Sequence, residues 1–266
     1  MAPHPGTLLV VGATGSIGRH VVAQALHAGY TVRALVRNPA RAGVLPREVE
    51  RTIGDLTRPE TLTAAVAGID AVIFTHGASG GGKPETVDYA GVRNVLAALD
   101  GRKVRIALMT AIGVTDRLGA YNRSTGAHDW KRRSERLVRA SGLPYTIVRP
   151  GWFDYNAPDQ HRLVMLQGDT RHAGTPADGV VARQQIAEVL VSSLSSPAAL
   201  RKTFELVTET GRPQDKLDAL FAALDADPAD TLDGVRDQMN MPLATEPKQV
   251  HDDLDAARSR LAATAS

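Results

Sequence analysis

The 266-residue sequence predicts an α/β protein: a doubly wound parallel sheet with a small cap and an acidic helical C-terminal appendage. Three observations carry that expectation. Apolar runs of strand length at residues 8–11, 31–36, 71–74 and 104–109, with a further strand around 49–53, alternate with segments of helical periodicity, the rhythm of a parallel sheet buried between two helical layers. The first run ends in a glycine turn that reopens at once as a helix. Charge also divides the chain, since residues 1–208 carry 25 basic and 17 acidic side chains while residues 209–266 carry 6 and 12.

The turn follows Leu8 to Val11 and reads Gly12-Ala13-Thr14-Gly15-Ser16-Ile17-Gly18. A helix over 16–28 comes next, with Val21, Val22, Ala25 and Leu26 on one face. Gly12 permits a positive φ where the strand ends, Gly15 allows backbone to approach a ligand, and Gly18 lets helix pack closely on strand. Free N–H groups at a helix start, with the helix dipole, favour an anion such as a pyrophosphate. The spacing is Gly-x-x-Gly-x-x-Gly rather than Gly-x-Gly-x-x-Gly, so the strand and helix on either side carry as much weight as the glycines. The plain alternative is a turn that only joins strand to helix.

The second strand, 31–36, runs into Arg37-Asn38-Pro39-Ala40-Arg41, and no Asp or Glu occurs between Gly29 and Arg47. In a dinucleotide fold this strand end faces the adenosine ribose, where a carboxylate selects NAD and an arginine accepts the 2′-phosphate of NADP. Arg37 and Arg41 are therefore candidates for that phosphate, by bidentate charged hydrogen bonds, or else two surface arginines. NADP(H) is expected in preference to NAD(H). A third strand at 49–53 leads to Gly54-Asp55-Leu56 and a short helix over 57–67 with Pro59 in its first turn. Asp55 either accepts from an adenine amino group or caps that helix. The strand 71–74 delivers Thr75-His76-Gly77-Ala78 to the same edge. Residues 79–83 read as a flexible loop with Pro84 behind it, and the helix 87–99 as scaffold. The fifth strand brings Thr110 to the ligand edge as a hydroxyl for substrate.

These stretches together resemble one family. The turn at 12–18, the run 37–41, Gly54-Asp55-Leu56, residues 106–113, the helix carrying Lys131 and Glu135, and Ser141-Gly142-Leu143-Pro144-Tyr145-Thr146-Ile147-Val148-Arg149-Pro150-Gly151 are similar to atypical short-chain dehydrogenase/reductases. Within that family the likeness is to the NAD(P)H-binding branch that includes NmrA-like and biliverdin reductase B-like proteins, and it covers about residues 7–208. The resemblance implies a Rossmann-type fold and a cofactor site drawing on Gly12, Thr14, Gly15, Ser16, Ile17, Gly18, Arg37, Arg41, Asp55, Leu56, Thr75, Gly77, Lys131 and Pro150, the last lining the nicotinamide side. It also implies a Ser/Thr and Tyr-x-x-x-Lys pattern for carbonyl reduction, in which the ammonium lowers the tyrosine pKa. Thr110 and Lys131 match, but the tyrosine position is Ala127. Tyr121 reaches the pocket only if the loop 122–126 folds back. His128 and Asp129 are nearer replacements, the histidine having a suitable ordinary pKa, although a histidine ahead of a helix is commonly a cap.

Lys131, Arg132, Arg133, Arg136 and Arg139 read mostly as a solvated helix face, with Glu135 and Arg139 as an i,i+4 pair. Trp152, Phe153 and Tyr155 concentrate aromatics after the sixth strand and suggest either a flat apolar substrate wall or a satellite core. Residues 152–180 are expected to cap the pocket. His161, Arg171 and His172 approach it without the spacing of a metal site, and no metal is expected. A helix at 182–193 and a strand at 203–207 close the domain, placed at 1–208. The extension 209–266 holds amphipathic helices at 215–224 and 250–261 and is expected to pack on the basic body or on a partner subunit.

Cysteine is absent, which excludes disulfides, thiolate metal sites and thiol nucleophiles. The N-terminal residues 1–6 lack the charged start of an export signal and no apolar run reaches membrane-spanning length, so a cytoplasmic, membrane-free protein is expected. No basic patch interleaved with aromatics suggests nucleic acid. Taken together, the sequence points to an NADPH-dependent oxidoreductase passing hydride to an aromatic acceptor (quinone, flavin or polycyclic ketone), with a homodimer possible. The alternatives are a non-catalytic NADP(H) sensor and an NADP-retaining isomerase or lyase.

Overall fold

The computed structural model describes residues 5–78 and 82–265. Residues 79–81 of the expected loop at 79–83, and residues 1–4, lie outside them. In chain order the elements are β1 (Thr7–Val11), α1 (Gly18–His27), β2 (Thr31–Val36), β3 (Glu50–Ile53), α2 (Thr63–Val66), β4 (Ala71–Phe74), α3 (Ala90–Leu99), β5 (Arg105–Met109), α4 (Ala120–Thr125), α5 (Ala127–Ala140), β6 (Tyr145–Pro150), β7 (Trp152–Phe153), β8 (Arg162–Leu166), β9 (Val180–Val181), α6 (Arg183–Ser195), β10 (Lys202–Glu209), α7 (Asp218–Ala222) and α8 (Lys248–Ala265). Eight strands form one sheet in the order β3-β2-β1-β4-β5-β6-β10-β8, parallel except for β8. From β1 the chain winds outward to β3 and then crosses to β4, so the strand order reverses between β1 and β4. A ligand crevice is expected at the carboxyl ends of those two strands.

Alternation along β1 explains the two layers. Leu8 and Val10 face a core built with Val21, Val22 and Ala25 of α1 and Ile186 and Leu190 of α6. Leu9 and Val11 face the opposite core, with Val92 and Val95 of α3 and Leu137 of α5. Buried on both faces, these strands read as continuous apolar runs, which is why they were visible in the sequence.

Several expectations need correction. Residues 57–67 are not one helix: a 3-10 turn at Pro59–Thr61 precedes the four-residue α2. Thr61 breaks the run, its hydroxyl being bonded to the Arg58 carbonyl at 2.7 Å and its oxygen accepting from Asp55 N at 2.9 Å. Helical structure begins earlier than 87, through a π turn at Glu85–Tyr89 that leads into α3. Pro84 therefore opens the helix instead of separating it from the loop, as a residue with no N–H to satisfy can. The expected cap at 152–180 is partly sheet: β8 pairs antiparallel with β10, and the Gln214 amide bonds Leu163 N and O at 3.0 and 2.8 Å along the outer edge of β8. Such cover protects an edge strand from pairing with another chain.

The largest correction concerns α5. Arg132, Arg133, Arg136 and Arg139 do not form a solvated face; they are 0%, 8%, 1% and 7% exposed. The acidic segment after α7 lies across them. Asp233 pairs with Arg132 and Arg136 at 3.0 and 2.8 Å, Glu246 with Arg133 at 2.6 Å, and Asp227 with Arg139 at 3.2 Å. The Glu135–Arg139 pair forms at 3.4 Å. Of the two packing modes expected for the acidic extension, the contact with the basic body is the one present. Beyond it, Val250, Leu254 and Ala257 of α8 join the α3/α5 core, while Phe221 of α7 packs against Phe204 with ring centres 6.0 Å apart.

Candidate cofactor and active site

A cavity of about 500 Å³ opens at the carboxyl ends of β1, β2, β4 and β5, over the glycine turn. Its floor follows from two close approaches. Gly12 sits at φ +89°, and a Cβ there would press on His76 N at 2.8 Å and Thr75 Oγ1 at 2.9 Å. A Cβ at Gly18 would overlap the Gly12 carbonyl oxygen, so only glycine lets α1 start against the strand end. At Gly15 the sole heavy atom an added Cβ would meet within 4 Å is Gly12 O at 3.1 Å, and otherwise it would project into open space. The turn thus offers bare backbone at the N-terminus of α1, as a pyrophosphate requires.

Gly12, Thr14, Gly15, Ser16, Ile17, Arg37, Asp55, Leu56, Thr75, Gly77, Thr110, Lys131 and Phe153 all line this cavity. The structure leaves Arg41, Pro150, Trp152, Tyr155 and His128 outside the lining, and Gly18 supports the floor without facing the space. Arg41 lies on the exposed 3-10 turn Pro39–Val44, whose start Asn38 caps through Ala40 N at 3.0 Å. Pro150 is buried at the end of β6, its carbonyl accepting from Ile112 N at 3.0 Å. Trp152 and Tyr155 form an exposed edge-to-face pair, with centroids 6.1 Å apart. Phe153 alone of that aromatic run turns inward, half-buried under the Arg183 guanidinium at 5.3 Å.

Asp55 does not cap the following turn, whose N-cap position is Arg58 without a side-chain bond. Asp55 Oδ1 accepts from Thr57 N and Thr57 Oγ1, both at 2.9 Å, while the residue also lines the cavity. His76 also lines it. Nε2 of its ring meets the Val87 carbonyl at 3.1 Å and so carries the proton, which leaves Nδ1 as a buried acceptor without a partner among the described residues. Burial lowers its pKa to about 4, so it is neutral near pH 7. With Arg37 and Lys131 as the cationic lining, the bare glycine turn fits a phosphorylated dinucleotide.

Lys131 donates to Asp88 Oδ1 at 2.6 Å, and Asp88 Oδ2 accepts from Ala78 N at 3.2 Å. Asp88 is presented inward by the π turn, the kind of irregularity that recurs at functional sites. Thr110 is buried at the end of β5 and donates to Glu135 at 2.7 Å. His128 stands apart: burial lowers its pKa, its ring lies 5.0 Å from that of Tyr121, and its Nδ1 has no partner among the described residues. Residues 120–125 form α4 instead of a loop, and they hold Tyr121 against His128, outside the cavity lining. Asp129 is committed to Arg117 at 3.0 Å and to Asn122 at 2.9 Å.

Two participants escaped the sequence reading. Asp88 carried no signal beyond its place in a helix start. Arg183 donates from Nε to Ser16 Oγ at 3.1 Å and pairs with Asp154, adding a cation beside the glycine turn across 167 residues of chain. No local pattern could announce that contact.

The comparisons agree with this geometry. A family model described as NAD(P)H-binding matches residues 12–197. Protein TIC 62 of Oryza sativa subsp. japonica, a chloroplast protein, is 31% identical over 238 residues, covering 77% of this chain and 47% of that protein. Sanguinarine reductase of Eschscholzia californica is 28% identical over 243 residues, covering 75% and 88%. Among solved structures, the anaerobilin reductase of Escherichia coli O157:H7 superposes with a TM-score of 0.61 at 23% identity, covering 78% of this chain and all of that one. That likeness is one of fold. The chain spans less than half the length of the TIC 62 proteins it matches. No helix among the described residues is long and apolar enough to cross a membrane. The match runs from the glycine turn through α6 and so takes in the whole cavity floor, and this chain accordingly belongs to the NAD(P)H-binding family.

Proposed function

We propose that this chain is an NADPH-dependent oxidoreductase that passes hydride to a planar aromatic acceptor such as a quinone, a flavin or a polycyclic ketone. One observation carries the reading: Thr110, Lys131 and Phe153 converge on the cavity over the glycine turn, while Ala127 occupies the position from which a phenol would supply a proton. An aromatic acceptor that spreads the incoming charge over its rings has less need of that proton. The name of sanguinarine reductase points the same way.

The bound nicotinamide would supply the hydride. The chain's own residues bind and orient. Backbone N–H groups at the start of α1 hold the pyrophosphate, and Arg183 adds charge there through Ser16. Arg37, at the end of β2 and exposed, grips the 2′-phosphate, which a carboxylate at this position would repel. Lys131, kept in place by Asp88, donates to ribose hydroxyls. Phe153 supplies an apolar wall.

Titration with NADPH and NADH by intrinsic fluorescence, on the wild type and Arg37→Ala, tests the cofactor half. Tighter NADPH binding is expected, and Arg37→Ala should remove about 1.5–3 kcal/mol of that preference, the worth of a charged hydrogen bond. Equal affinities in the wild type would overturn it. Stopped-flow traces with a quinone, flavin and polycyclic ketone panel test the rest; no NADPH oxidation with any of them would refute hydride transfer to this class.

A further inference from the structure

Thr110 is the only hydroxyl that β5 brings to the cavity, and its proton is already committed. The partner, Glu135, is wholly buried. Arg149 binds both of its oxygens, through Nε to Oε1 at 3.0 Å and Nη2 to Oε2 at 2.7 Å, and Arg139 reaches Oε2 at 3.4 Å. A carboxylate held by two guanidiniums is an acceptor only. The remaining partners keep this arrangement rigid: Asp237 bonds Arg149 twice at 2.7 Å, and Arg139 donates to Thr203 Oγ1 at 2.6 Å. Arg149 is 0% exposed, and although burial works against its charge, Glu135 and Asp237 hold its pKa well above the ordinary value. The Thr110 hydroxyl, having one proton and giving it to Glu135, turns only lone pairs toward the cavity.

We propose that Glu135 is a positioning residue that makes Thr110 a hydrogen-bond acceptor, so that the acceptor molecule must present an N–H or O–H to the end of β5. This rests on the proposed aromatic-acceptor reading for the occupant of the site, and it narrows that class. Planar rings edged with lactam or imide N–H are favoured over quinones bearing carbonyl oxygens alone, because two facing acceptors would repel and leave a buried polar group unpaired. It also means that Thr110 does not protonate a substrate oxygen.

The test compares two probes that differ by one methyl group: lumiflavin, whose single ring N–H is an imide, and its N-methylated analogue 3-methyllumiflavin, each titrated with NADP⁺ present. The wild type should prefer lumiflavin by roughly ten-fold. Thr110→Ser should keep that preference and Thr110→Val should abolish it. Glu135→Gln should shrink it, because an amide facing Thr110 frees the hydroxyl proton to swing toward the ligand; the Thr110 variants decide the matter if that substitution prevents folding. Equal affinities in the wild type, or a preference that survives Thr110→Val, would overturn the proposal. Should neither flavin bind, flavins drop out of the proposed acceptor class, quinones and polycyclic ketones are left to the stopped-flow panel, and neutron diffraction from deuterated crystals then reads the hydroxyl without any ligand. A deuteron on Thr110 Oγ1 aimed at Glu135 supports the inference, and one aimed into the cavity refutes it.

Discussion

Replacing Asp233 by alanine removes the carboxylate on which two buried cations depend. Its Oδ1 accepts from Arg132 Nε at 3.0 Å and Arg136 Nε at 2.9 Å, and its Oδ2 from Arg136 Nη2 at 2.8 Å. Arg132 would retain Asn240 Oδ1 and the Gln238 carbonyl at 2.5 and 2.6 Å, which engage Nη1 and Nη2 but leave Nε without a partner and the charge unneutralised. Arg136 would retain the Met241 carbonyl at 2.6 Å, and its Nη1 is already without a partner. Unpairing one buried charge costs about 3–5 kcal/mol. Two guanidiniums lose their counter-ion here, but Asp233 is 18% exposed and its removal admits water, so the loss should be about 3–4 kcal/mol. That is a large part of the roughly 5–15 kcal/mol by which domains are stable. Urea denaturation followed by tryptophan fluorescence suits the measurement, because Trp130 lies on α5 with Arg133 stacked 4.3 Å from its ring. Changing Asp233 to Leu together with Arg132 and Arg136 to Met should recover most of the loss, since apolar replacement of a buried ion cluster is often neutral or stabilising. A loss below about 1 kcal/mol for Asp233→Ala would show that water reaches these arginines, and the burial argument would fall.

Two further outcomes follow from the same reasoning. Burial pushes Glu205 from its ordinary 4.5 up to about 8, so the folded chain keeps a proton that the unfolded chain releases. This group's contribution to stability therefore falls as pH rises from about 4.5 to about 8, and Glu205→Gln should flatten the decline in urea midpoint between pH 6.5 and 8; an unchanged slope would mean that Arg149, 3.4 Å away, keeps Glu205 ionised. Gly18→Ala should destabilise by roughly 1–3 kcal/mol and weaken NADPH binding, because the new methyl group must displace the Gly12 carbonyl. Gly43→Ala, where a methyl group meets nothing within 4 Å, is the control and should leave melting temperature and affinity unchanged.

The sequence alone determined everything that depends on neighbours along the chain. The apolar runs at 8–11, 31–36, 71–74 and 104–109 became β1, β2, β4 and β5, because strands covered on both faces are mostly apolar, whereas β3 is a polar, largely exposed edge strand. Gly18 announced a strand–turn–helix junction through a local approach, to Gly12 and Ala13 of the same turn, whereas the approach of Gly12 to Thr75 and His76 was made by the pairing of β1 with β4. The absence of acidic residues after β2 left Arg37 beside the cavity, a matter of local order as well. Only the tertiary structure decided which cations are solvated. The charges on α5 look like a surface helix until residues about a hundred positions later cover them, and burial of an arginine depends on a partner that no local pattern reveals. The site divides in the same way. Thr110 and Lys131 could be named from the family resemblance, whereas the direction in which Thr110 gives its proton, the clamp of Asp88 on Lys131, and the reach of Arg183 to Ser16 were fixed by contacts across 25, 43 and 167 residues. Hydrogen-bond polarity is set by whichever groups packing brings together, and packing is decided by the whole chain.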